Sequence, residues 1–277
     1  MSHIHIPDGV LPLWLWASGW LLALVVVGVA GKLAERTDVR RKVPLLAVVS
    51  ALMLVSMSSE IVPIAYHINL TVVGGVLLGP ALSVIAAFIV EVVLAMLGHG
   101  GVTVLGLNTL MIATEMVVGW ALFRGLTRLL GRDHPRRAAG IATVLTLAFT
   151  TTLLVGLVAI AGGGGATTRE TGALDPATLR FENPLAHGVF SAGLFSGGEV
   201  TAEKAPAPES QQESTALSVK RFALVVYTLG PIGWLIEALV TAAILGYIAR
   251  VRPGLLWEGA LEADEHQHPP GHESGVG

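Results

Sequence analysis

Cysteine is absent from the 277 residues, which excludes disulfide frameworks, thiolate zinc sites and thiol nucleophiles. Charge is scarce too: Asp, Glu, Lys and Arg make up 13% of the chain and leave a formal net charge of -3, whereas soluble domains carry about 25% charged residues. So little polar surface cannot cover a body exposed to water, and the near-neutral balance speaks against nucleic acid as a partner. Catalytic signatures are missing as well. There is no H-E-x-x-H metalloprotease motif, no G-x-S-G serine motif and no Walker P-loop, so the chain does not hydrolyse ATP in the Walker manner. What the sequence has in abundance is apolar length, with 53% hydrophobic residues and a mean hydropathy of +0.70.

That length divides into membrane crossings. A helix needs about 20 apolar residues to cross the hydrocarbon core, and such runs occupy Leu11–Ala30, Val43–Tyr66, Val102–Phe123, Ala138–Ala161 and Phe222–Ile248. A further apolar stretch, Ile68–Leu97, is interrupted by Gly74, Gly75, Gly79 and Pro80. Basic residues fix the orientation. Lys32, Arg36, Arg40, Arg41 and Lys42 follow the first run, five arginines from Arg124 to Arg137 follow the third, and Arg250 and Arg252 follow the last. By the positive-inside rule these segments are cytoplasmic. Residues 68–97 then begin and end on the outer side, so the chain must turn back within them. Gly79-Pro80 is the expected place, because proline cannot continue a helix; one kinked helix is the alternative. The expected fold is an all-α integral membrane protein of about seven transmembrane helices, with a broken or short pair at 68–97, the N-terminus outside and the C-terminus cytoplasmic. Absence of Lys or Arg before Leu11 makes the first run an uncleaved anchor instead of a signal peptide.

The expected organisation is one transmembrane domain over residues 1–250, with a long external loop at 163–218 rich in Gly, Pro, Ser, Thr and acids. A disordered cytoplasmic tail of acidic residues and His266, His268 and His272 follows at 251–277.

Under this topology His3, His5, His67 and His99 share the outer membrane level. Histidine is the commonest metal ligand, and an imidazole set suits nickel, copper, zinc or cobalt. A terminal amine close to a histidine adds chelating nitrogen donors, so Met1 or Ser2 joins the candidate ligand set, and tetragonal nitrogen sites select Ni(II) or Cu(II). Asn69, Thr71, Thr103 and Asn108 flank the histidines and are placed to orient imidazoles or to satisfy helix-end backbone. Glu60, Glu91, Glu115 and Glu237 lie within apolar runs, where an ionised carboxylate costs about 2.5 kcal/mol or more, so each is expected to face the bundle or a cavity.

Three motifs carry a family resemblance. MSHIHIPDGVLP resembles the start of the CbiM/NikM proteins, the metal-binding S components of energy-coupling factor transporters for cobalt and nickel. HINLTVVGGVLLGP resembles that family's His-to-Gly-Pro stretch, and HGGVTVLGLNT resembles its HGGxTxLGxN segment. They occur in the family's order and cover the first 110 or so residues. The resemblance implies a membrane subunit, not an enzyme, that captures Ni(II) or Co(II) as transported substrate, with no organic cofactor. His67 matches the family's second ligand histidine and His99 its supporting position. The first ligand falls on His5 by alignment, or on His3 if Ser2 is the mature terminus. The implied partners are a transmembrane coupling subunit, two cytoplasmic ATPase subunits and a small accessory membrane protein, in the cell membrane. Ala47, Ala51 and Gly119 are small residues that would let helices approach the coupling subunit. Other readings of the same residues are an intramembrane metalloenzyme, with Glu91 or Glu60 as base, and an S component for an organic vitamin.

Overall fold

Long apolar runs in lipid have one economical solution, the α-helix, which satisfies every backbone polar group internally. The computed structural model describes residues 13–35, 39–58, 68–97, 101–164 and 219–256, and no strand occurs among them. Helices α1 (Leu13–Glu35), α2 (Val39–Ser58), α3 (Thr71–Met96), α4 (Leu105–Leu130), α5 (Pro135–Gly164) and α6 (Val219–Val251) follow in order. Five of them are long and apolar enough to cross a membrane, and Lys42–Ser58 forms a shorter apolar helix. Toward their charged ends the helices outrun the apolar runs, whereas α3 stays within Ile68–Leu97. The hydrogen-bond ladder continues into the charged flanks, so Lys32, Arg128, Arg136 and Arg250 are helical.

α3 is two arms joined at Gly79, whose φ of 74° and ψ of 174° are non-helical. Proline at position 80 keeps the residue before it out of the α region, and glycine alone tolerates this φ cheaply. The arms are not collinear. A straight α3 paired with α4 would carry Thr71 to the far end of α4, yet Thr71 hydrogen-bonds Glu115, only about 15 Å along α4 from Leu105 at 1.5 Å per residue. The chain therefore bends back at Gly79, the broken pair that the charge rule requires. Counted as two arms, α3 brings the described helices to seven.

Contacts define the two ends of the bundle. At one end a Cβ on Gly106 would lie 2.6 Å from the Trp20 backbone, and one on Gly19 would meet the Leu107 side chain at 2.4 Å, so α1 and α4 start side by side. Leu15, Val104, Leu107 and Leu154 form the apolar cluster there. At the other end Arg136 lies across Gly246, and Leu256 packs with Ala138, Ala139 and Leu245. The basic flanks of α4, α5 and α6 gather at this second end, which the positive-inside rule makes cytoplasmic. α5 and α6 run antiparallel, since Arg136 meets Gly246 while Thr152 shares a 2.8 Å hydrogen bond with Tyr227.

α3 and α4 form the interior. Gly75 permits their closest approach, since a Cβ there would stand 2.1 Å from the Met116 carbonyl oxygen. Gly119 is likewise spent inside the fold, with Val72 filling the space beside it; it is not open to a coupling subunit, whereas Ala47 and Ala51 are exposed on α2. Outward faces carry bare aliphatic side chains such as Leu21, Val25, Leu52 and Leu239, as a lipid solvent allows. Threonines buried on α5 turn their hydroxyls onto the preceding turn: Thr143 donates to the Ala139 carbonyl at 2.9 Å and Thr146 to that of Ala142 at 2.7 Å.

Candidate functional site

Most of the site residues expected from sequence cannot be placed by the described helices, which show only the chain segments adjoining them. Met1, Ser2, His3, His5, Glu60, His67 and His99 fall outside the described residues. Among the described residues no group of three or more His, Cys, Asp or Glu side chains stands close enough to hold a metal ion. What the structure shows is the frame from which those segments depart.

Residues 101–104, which follow His99 in sequence, are held against α1. The Trp20 indole N–H donates to the Val102 carbonyl at 3.3 Å, and Val104 is fully buried. Thr103 beside it is half-buried. The glycine at position 106 matters here, because any side chain would strike the α1 backbone. Thus the segment after His99 and the helix that follows the N-terminal histidines meet at one end of the bundle.

One turn deeper, α4 presents a polar stripe inside an apolar helix. Asn108 is 3% exposed, Thr109 1% and Glu115 0%. Asn108 Nδ2 and Thr109 Oγ1 have no hydrogen-bond partner among the described residues. Asn69, two residues after His67, is buried with neither side-chain amide atom partnered among them. An unsatisfied buried amide costs about 1–3 kcal/mol, so these atoms call for acceptors and donors beyond the described frame. Backbone strain coincides with them: Leu70, next to Asn69, is the one non-glycine residue with positive φ among the described residues, at 56°. Only its neighbours can hold it there, and such strain clusters at functional sites.

Thr71 begins α3 and points elsewhere. Its hydroxyl donates to Glu115 Oε1, and Thr150 on α5 donates to Glu115 Oε2 at 3.1 Å. One buried carboxylate therefore ties three helices together. Thr150 also lies 3.1 Å from the Thr146 carbonyl, and its single hydroxyl proton can serve only one acceptor at a time. Glu91 is 1% exposed on the second arm of α3 and Glu237 0% on α6; both make polar interactions within the protein. The Thr150 partnership escaped sequence reading because the two residues are 35 positions apart on different helices. A threonine on the buried face of an apolar helix was its only signal.

Comparisons with known proteins bear on the family and the fold. The family model described as the CbiM cobalt uptake substrate-specific transmembrane region matches residues 5–255. A protein of Haloquadratum walsbyi named as a metal transport protein is 33% identical over 158 residues, covering 55% of this chain and 72% of its own. A protein of Halobacterium salinarum named as cobalt transport protein CbiM is 31% identical over 173 residues, covering 58% and 76%. Two solved structures share the fold. A truncated transition metal transporter superposes with a TM-score of 0.59 at 17% identity, covering 89% of this chain and 99% of its own. A transition metal transporter superposes at 0.58 and 18% identity, covering 95% and 99%.

Proposed function

The chain belongs to the CbiM family of cobalt-uptake substrate-specific transmembrane regions, and from that premise we propose that it captures Ni(II) or Co(II) at the outer face for ATP-driven uptake. It is a multi-pass membrane protein of metal transport. The finer reading assigns capture to nitrogen donors: His67 together with His3 or His5 and the amine of the N-terminal segment, supported by His99. A nitrogen set of this kind favours late first-row divalent ions over calcium or magnesium, which prefer oxygen.

The observation that carries the reading is the junction of α1 with residues 102–107. The described residues that follow the N-terminal histidines and His99 touch one another at the outer end, in a chain whose family transports metal. Asn69 and Asn108 fit the same role. Their buried amides supply the hydrogen-bond partners that fix a ligating imidazole's tautomer and ring orientation.

Uptake then requires energy that this chain does not generate. In this account a transmembrane coupling subunit docks on the bundle, two cytoplasmic ATPase subunits drive reorientation, and a small accessory membrane protein assists delivery. Ala47 and Ala51, one turn apart and exposed on α2, offer a surface where another helix can pack closely.

The test is titration of the purified chain with Ni(II), Co(II), Cu(II) and Zn(II), with His67→Ala alongside. Tight one-to-one binding of nickel or cobalt is expected for the unaltered protein and none for the variant, with the melting temperature unchanged. Equal stoichiometry in both would overturn the ligand assignment.

A further inference from the structure

At the cytoplasmic end, opposite the capture site, the turn between α4 and α5 and the last turns of α6 enclose a cavity of about 350 Å³. Its lining includes Arg132, Asp133, His134, Arg136, Arg137 and Arg250. The hollow thus gathers four arginines around one aspartate. The positive-inside rule accounts for arginines at this level, but it does not require arginines of two separate helix ends to converge on one hollow. Two local features shape the convergence. The Arg136 side chain lies across Gly246, where a Cβ would stand 2.3 Å from its Cγ and 2.5 Å from its Nε. α5 opens with Pro135 and has no acidic residue in its first turn, so the N–H groups and dipole of its N-terminus add to the positive field.

The volume falls in the range of about 300–1,000 Å³ typical of small-molecule sites, which is more than a bare ion needs. The surroundings are amphiphilic. Ile141, one turn beyond Arg137 on α5, and Tyr247 and Val251, flanking Arg250 on α6, expose apolar surface beside the basic hollow. Tyrosine of this kind marks the headgroup level of a bilayer. An anion with an acyl chain uses both surfaces, whereas a soluble anion or an acidic peptide uses only the hollow.

We infer that this pocket binds the phosphate headgroup of an anionic phospholipid of the inner leaflet, held by Arg136, Arg137 and Arg250 with the acyl chains along Ile141, Tyr247 and Val251. Planar guanidinium forks match phosphate oxygens bidentately, and basic pockets between transmembrane helices on the cytoplasmic side are suited to anionic headgroups. The bound lipid would neutralise the seam between α5 and α6 at the end where ATP-driven subunits must approach.

The experiment is native mass spectrometry of the full chain, delipidated and then offered dioleoylphosphatidylglycerol or dioleoylphosphatidylcholine. The unaltered protein should retain one phosphatidylglycerol and no phosphatidylcholine. Arg136→Gln/Arg137→Gln/Arg250→Gln should bind the anionic lipid at least tenfold more weakly, while Lys32→Gln/Arg128→Gln/Arg252→Gln, which removes equal charge outside the pocket, should not. Gly246→Leu keeps every charge but takes the space in which the Arg136 side chain lies, and it should weaken retention by displacing that arginine from the pocket. Equal loss in the two triple variants, or no loss in either, would overturn the site. Displacement of the lipid by millimolar inorganic phosphate at matched ionic strength would show a soluble-anion site instead. Retention that appears only after Glu258→Gln/Glu262→Gln/Asp264→Asn/Glu265→Gln would assign the pocket to the acidic tail.

Discussion

Glu115 is the residue on which the interior depends most directly. It is fully buried within an apolar helix and is satisfied by hydroxyls from the helices on either side. Removing one donor so that a buried acceptor is left short of a partner costs about 1–3 kcal/mol. The two donors are not equivalent, because Thr150 already has a carbonyl within reach on its own helix while Thr71 has no backbone acceptor among the described residues. Thr71→Val is expected to lower stability by about 2 kcal/mol and Thr150→Val by less than half of that, read as melting temperatures in detergent. Equal losses would show that Glu115 does not discriminate between them. Asn69 and Asn108 behave differently in this account: each contributes little to packing and much to what is bound. Asn108→Leu should weaken nickel or cobalt binding about tenfold or more while leaving melting nearly unchanged; a large drop in melting with metal binding intact would make it a structural residue.

At the scale of elements, glycine positions divide sharply by what lies beside them. A Cβ at Gly75 would run into the Met116 carbonyl at 2.1 Å, whereas one at Gly125 meets nothing within 4 Å. Gly75→Ala should therefore prevent the α3–α4 contact and reduce folded yield severely. Gly125→Ala should raise stability by up to about 1 kcal/mol through helix propensity, and a comparable loss at both positions would contradict the packing. The break in α3 was legible in the sequence because two independent constraints met there: the basic flanks demanded a reversal, and Gly79-Pro80 offered a place for one. Helix ends were less legible, since hydropathy ends where charge begins while the hydrogen-bond ladder runs on through residues such as Arg128 and Arg136. Pairings across helices were not legible at all. Nothing local to Thr71 or Thr150 announces a carboxylate on α4, and Gly119, a small residue available on paper to a partner, is consumed by Val72.

The whole molecule has two ends with different chemistry: an outer end where α1 meets the start of α4 and the buried Asn108, and a basic cytoplasmic one. Between them α2 exposes Ala47 and Ala51 along with Val48, Leu52 and Val55, a face smooth enough for another helix. If the proposed coupling subunit docks there, Ala47→Leu/Ala51→Leu is expected to reduce its co-purification at least tenfold and to leave metal titration of the isolated chain unchanged. Loss of metal binding in that variant would move α2 from the coupling surface into the capture site. The histidine motifs were legible only as a pattern: HINLTVVGGVLLGP and HGGVTVLGLNT put His67 and His99 at the boundaries of apolar runs, and both histidines lie outside the described residues. Capture by nitrogen donors at the outer end is tested by X-ray absorption at the metal edge of the nickel- or cobalt-loaded protein. The expected spectrum has a first shell of nitrogen donors with imidazole outer scattering, reduced by one imidazole in any metal retained by His67→Ala. A shell of oxygen donors alone, or one unchanged in that variant, would contradict it.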